Sequence, residues 1–113
     1  MYEKSKVMFQ CHIAGFSHYD GINVFEDLKV GTLLTLKAEP DNPYDPEAVA
    51  VFLGSVRLGY VPRALNQKIS SLLYFGHVGA IEALISARCQ EEHPEHQVRM
   101  MIRVTDKRLE NVH

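Results

Sequence analysis

Apolar and polar positions alternate along this chain in short stretches, and the period changes once. Between residues 7 and 13, Val7, Phe9, Cys11 and Ile13 alternate with Met8, Gln10 and His12, the period of two expected of a half-buried strand. Gly15 and Gly21 bracket a polar-aromatic loop, Phe16-Ser17-His18-Tyr19-Asp20. A second strand is predicted over residues 32–38, with Leu34, Leu36 and Ala38 on one face. Residues 48–53 read as a third strand, apolar on both faces and therefore central. Gly54-Ser55 turns the chain into a returning strand over residues 56–61, a hairpin signature. After Pro62 the period lengthens. Leu65, Ile69, Leu72 and Leu73 form one stripe of an amphipathic helix, with Pro62 suited to its first turn and Gly76 to its C-terminal cap. A fifth strand over residues 78–88 carries Ile81, Ala83, Ile85 and Ala87 on one side. In a sixth, over residues 98–104, Val98, Met100, Ile102 and Val104 alternate with Arg99, Met101 and Arg103.

About six short strands and one late helix predict a mainly β fold, a small β-barrel with one inserted α-helix of modified OB-like or SH3-like type. Closure into a barrel removes exposed strand edges. Arg99 and Arg103 then fall on its outer, wet face. Neither repeats nor a linker interrupt the pattern, so residues 1–113 are expected to form a single domain with its core over about 7–105 and mobile ends. The hydrophobic fraction, 46% of 113 residues, is ordinary for such a core.

Charge narrows the functional classes. Twelve Lys+Arg against 14 Asp+Glu give a formal charge of −2, which disfavours coating a long polyanion through many phosphate contacts. A small site gripping one or two phosphates stays open. Two cysteines, Cys11 and Cys89, are too few for a disulfide scaffold. No apolar run approaches the roughly 18 residues of a membrane span, and residues 1–10 lack a signal-peptide core. A reduced, cytoplasmic protein without membrane contact is expected.

The most informative stretch is Glu39-Pro40-Asp41-Asn42-Pro43-Tyr44-Asp45-Pro46-Glu47, which runs into the third strand. Three prolines in seven positions pre-set the backbone and push the residues before them away from helix. Asn42 and Asp45 each precede a proline and are suited to cap turns with their side chains. A rigid loop therefore holds a tyrosine and a carboxylate at the entrance to a central strand, as a preorganised site requires. The competing reading is a turn that only orients the hairpin.

This stretch resembles the HIRAN domain, together with Gly15-Phe16-Ser17-His18-Tyr19-Asp20-Gly21 upstream and Leu58-Gly59-Tyr60-Val61-Pro62-Arg63 downstream. The resemblance covers residues from about Phe9 to Ile85. HIRAN domains stand at the front of SWI/SNF-type fork-remodelling helicases and occur as free-standing bacterial proteins. The resemblance implies an OB-like barrel that binds the 3′ end of single-stranded DNA, with the 3′-hydroxyl held in a small pocket. It implies that Tyr44 stacks on the terminal base and that Asp45 accepts a hydrogen bond from the 3′-hydroxyl. Asn42 belongs to the same motif. Arg63 falls where the family holds a basic residue for the backbone phosphate, with Tyr60 beside it. Ser17 and His18 stand where the helicase-type relatives have an arginine and a tyrosine, which removes one phosphate contact and shrinks one stacking surface. The role so implied is in DNA repair or stalled-fork processing, alongside a partner helicase or nuclease.

Catalysis is not expected. Ser17-His18 supplies no oriented triad, and no Gly-rich phosphate cradle or Walker motif occurs. No cofactor is expected either. The weaker alternative is zinc, because Cys89, His93 and His96 offer sulfur and imidazole in one polar loop that Cys11 and His12 would complete. The spacing matches no standard zinc module, and Pro94 stiffens the loop. Another class remains open, a protein-interaction barrel whose DNA pocket has decayed, using the outer stripe of Arg99, Met101 and Arg103. Lys37 and Arg57 read, like Arg99 and Arg103, as solvated surface.

Overall fold

The structure, a computed structural model, describes residues 5–89, 91–93 and 96–105. Pro94 and the expected mobile ends, residues 1–4 and 106–113, lie outside the described residues. Six strands form one antiparallel sheet in the order β1-β6-β5-β2-β3-β4. They are β1 (Ser5–His12), β2 (Leu33–Ala38), β3 (Val49–Leu53), β4 (Val56–Tyr60), β5 (Ile81–Arg88) and β6 (Val98–Thr105). One helix, α1 (Asn66–Tyr74), lies between β4 and β5.

Burial follows the alternation. In β6, Val98, Met100 and Ile102 are buried, and in β5, Ile81, Ala83 and Ile85 face them. In β3, Val49, Ala50 and Val51 are all buried, as two covered faces require. Ile69 carries the stripe of α1 into the same core, beside Phe16, Leu28 and Leu58. Gly76 ends the helix as expected, its N–H donating to the Leu73 carbonyl at 3.1 Å.

Several expectations are corrected. Val7 is exposed, because the register of β1 slips between Val7 and Phe9, and one extra residue turns the following side chains over. The Gly15–Gly21 segment is not an open loop but enters two 3-10 turns, Phe16–His18 and Asp20–Asp27, which bury Phe16 and Phe25. Residues Val78–Ala80 form another 3-10 turn, so β5 starts at Ile81. Pro62 and Arg63 precede the helix: the Leu65 N–H closes a turn on the Pro62 carbonyl at 2.9 Å, and α1 begins only at Asn66. Arg103 is no purely solvated residue, since it pairs with Glu82 across the β5–β6 ladder.

The sheet is barrel-like but no strand ladder closes it. The seam is a single residue pair just beyond β1, where Ala14 and Tyr60 exchange two backbone hydrogen bonds at 2.8 and 2.9 Å. Beyond Ala14 the chain folds at once into the first 3-10 turn, so no further pairing is available. The approach is close enough to demand glycine at position 59. A Cβ there would stand 2.3 Å from the Ala14 carbonyl oxygen and 2.8 Å from Ile13 Cγ2, on a backbone with φ of +151°. Gly59→Ala is therefore expected to cost about 2–3 kcal/mol of stability in urea denaturation. Gly79→Ala, where nothing lies within 4 Å of an added Cβ, is the near-neutral control.

Candidate nucleic-acid interface

A cleft of about 780 Å³ lies along this seam, between Ala14 and Tyr19 on one side and the proline-rich loop on the other. The loop braces itself through side chains that reach backbone. The Asn42 side-chain carbonyl accepts from the N–H groups of Tyr44 at 2.9 Å and Asp45 at 3.1 Å. Asp45 Oδ1 accepts from the Glu47 N–H at 2.9 Å. At the loop base the Glu39 N–H donates to the Ala48 carbonyl at 2.9 Å. Pro40, Pro43 and Pro46 bring no donors of their own, and two side chains satisfy the N–H groups of Tyr44, Asp45 and Glu47 between and after them. Tyr44, thus held, is 87% exposed: it is presented to solvent and is not packing for the turn.

Asp45 has a second role. Its Oδ2 accepts from Asn66 Nδ2 at 2.9 Å and lies 3.7 Å from Arg63 Nε. The Glu47 N–H above all, then Asn66 and the Arg63 guanidinium, hold its carboxyl below the usual aspartate range. It is a carboxylate at neutral pH, with lone pairs to spare beyond these two hydrogen bonds. The Arg63 side chain is 80% exposed, so this long contact leaves it mobile enough to meet an incoming anion.

Behind the loop sits a block of polar and aromatic groups. Glu39 Oε1 accepts from the Tyr60 hydroxyl at 2.8 Å and from Asn42 Nδ2 at 3.1 Å, and its Oε2 accepts from Arg57 at 2.9 Å. The guanidinium of Arg57 also donates to the Tyr60 hydroxyl at 3.1 Å and lies 5.4–5.7 Å from the ring centroids of Phe52, Tyr60 and Tyr19. Tyr19 and Tyr60 meet at 5.8 Å between centroids. Burial, reinforced by the Glu39 carboxylate, pushes the Tyr60 hydroxyl up to about 12.

Of the residues singled out in the sequence, Asn42, Tyr44, Asp45, Tyr60 and Arg63 line one cleft. Ser17 and His18 do not; they occupy the 3-10 turn beside it, and their neighbour Tyr19 lines the wall. The cleft is also lined by Glu39 and Arg57, the latter read in the sequence as solvated surface, and by Asn66, which the sequence did not single out. A lone arginine between apolar strand positions, with a carboxylate at the base of the adjoining loop, was the available signal for the first two. Arg63 lies ahead of α1, which begins at Asn66. Among the zinc candidates the rings of His93 and His96 lie 5.8 Å apart, but among the described residues no group of three or more His, Cys, Asp or Glu is placed to hold a metal ion. His12 instead stacks on His96 at 4.7 Å, and buried Cys11 keeps its proton up to about 11.

The sequence profile of the HIRAN domain matches residues 6–107. The chain belongs to the HIRAN domain family. HIRAN domains are in general nucleic-acid-binding modules. Two crystal structures share the fold. A protein from Lactobacillus plantarum superposes with a TM-score of 0.74 at 22% identity, over 88% of this chain and 94% of that one. The HIRAN domain of human HLTF gives a TM-score of 0.60 at 16% identity, over 96% of this chain and 87% of that one. A comparison with curated protein sequences finds no match. No helix among the described residues of this HIRAN domain is long and apolar enough to cross a membrane.

The raised Tyr60 hydroxyl makes a pH prediction. Folded Tyr60 stays neutral up to about pH 12, whereas in the unfolded chain it ionises near its ordinary value of 10.0. Its contribution to stability is therefore complete below pH 10 and lost as the pH rises towards 12. Urea midpoints measured across that window should fall in the wild type and fall less in Tyr60→Phe.

Proposed function

We propose that this HIRAN domain binds the 3′ end of single-stranded DNA in the cleft beneath the proline-rich loop, reading the terminal 3′-hydroxyl. The reading is carried by the convergence of Tyr44, Asp45, Tyr60 and Arg63 on one cleft. Tyr44 offers an exposed, rigidly mounted ring to the terminal base. Stacking of this kind contributes about 1–3 kcal/mol and tolerates any base. Asp45 accepts a hydrogen bond from the 3′-hydroxyl and repels a 3′-phosphate. Arg63 swings from Asp45 to the phosphate that joins the last two nucleotides.

Charge favours an end over a long strand. The cleft is lined by Glu39, Asp41 and Asp45 against Arg57 and Arg63, and Arg57 is already held by Glu39. Few phosphates are neutralised, so affinity rests on the terminus. In this reading the domain is a non-catalytic, cytoplasmic module without a cofactor. It hands a 3′ end to a partner helicase or nuclease in repair or stalled-fork processing.

Fluorescence anisotropy with short 5′-labelled strands ending in 3′-hydroxyl or 3′-phosphate tests this directly. The hydroxyl strand should bind tighter by roughly tenfold or more, with a salt slope near −0.7 for each phosphate held. Asp45→Asn, which keeps the Oδ1 acceptor for Glu47, should abolish the preference. Tyr44→Ala should weaken both strands by about 1–3 kcal/mol. Equal binding of the two strands by the wild type overturns end reading, and binding of neither means that the loop serves the fold alone.

A further inference from the structure

Arg57 is the basic residue of the cleft that the proposed contacts leave unused, and its surroundings explain why. Its guanidinium is flanked by the rings of Tyr19, Phe52 and Tyr60 and forks onto the Glu39 carboxylate and the Tyr60 hydroxyl. Guanidinium stacks on aromatic faces while its planar fork holds oxygen acceptors in fixed directions. A chain of contacts then leads outward. Arg57 fixes Glu39 Oε2, Glu39 Oε1 holds Asn42 Nδ2, and Asn42 Oδ1 takes the N–H groups of Tyr44 and Asp45.

We infer that Arg57 is a positioning residue for the binding loop: through Glu39 and Asn42 it sets the orientation of Tyr44 and Asp45, and it does not itself touch the nucleic acid. The inference rests on the proposed function of the cleft for its binding consequences, but the coupling within the loop exists without a ligand. Losing the fork strips Glu39 Oε2 of its partner and, among the described residues, leaves the Tyr60 hydroxyl as the one brace of this carboxylate outside the loop. The acceptor of Asn42 is then less firmly fixed, and so is the amide that caps the loop. Tyr60 keeps its place through its backbone bonds to Ala14, so the damage stays local to the loop.

The test compares wild type with Arg57→Met, which keeps the stem and removes the fork, and with Glu39→Gln, which places an amide against Arg57 and breaks the same link from the other side. Without any DNA, amide hydrogen exchange at Tyr44 and Asp45 should accelerate about tenfold in both variants, while Val51 and Ile102 in the core stay protected. With the 3′-hydroxyl strand, affinity should fall about tenfold in each variant. The double variant should fall no further, and the salt slope should match the wild type. A slope flatter by about 0.7 in Arg57→Met would show that Arg57 contacts a phosphate and overturn the inference, as would tighter binding by Glu39→Gln. Unchanged exchange at Tyr44 and Asp45 overturns it whether or not DNA binds. If the wild type binds no strand, the functional reading fails alone and the exchange data still decide the coupling.

Discussion

Two backbone hydrogen bonds between Ala14 and Tyr60 hold the end of the first strand against the far edge of the sheet, and the cleft exists because of them. They join the chain just beyond β1, which leads on to Tyr19, to the strand carrying Tyr60, although β1 and β4 stand at opposite ends of the order. Each such bond contributes only about 0.5–1.5 kcal/mol net. The seam is therefore supported by what surrounds it: the absent side chain of Gly59, the buried Ile13, and the contact of the Tyr19 and Tyr60 rings. The groove thus coincides with a joint made by a single residue pair and not by a ladder.

Rigidity in the loop comes from a different source. Prolines lower the entropy of the unfolded chain, and Asn42 and Asp45 satisfy N–H groups that the prolines leave without strand partners. The same two residues that brace the loop thereby orient its exposed ring and its carboxylate. Asp45 serves both as a cap and as a free acceptor, since a carboxylate has more lone pairs than the two hydrogen bonds it accepts. Bracing and ligand recognition are not competing explanations for this residue.

The strands and the helix were legible because burial on one face writes itself into the period. Val98, Met100 and Ile102 show it clearly, as do Leu34 and Leu36. Val7 was misplaced because a bulge changes the face without changing the composition. The 3-10 turns after Gly15 have no hydrophobic period long enough to read, and their content is one buried ring each, Phe16 and Phe25. In the site, Tyr44 and Asp45 were legible from the proline spacing. Arg57 was not, since a strand arginine looks solvated until the tertiary fold sets three rings and a carboxylate beside it. Tyr19 was missed by a single position, because only the turn geometry decides which side chain of the Ser17-His18-Tyr19 run faces the groove.

The pairing of β1 with β6 places Ser5 beside Thr105. Both positions lie at the opposite end of β1 from Ala14, roughly 30 Å away for an extended strand of this length. A polypeptide entering at one and leaving at the other passes through neighbouring points. The end of the β1–β6 ladder where β1 begins and β6 ends is thus kept a full strand's length from the groove.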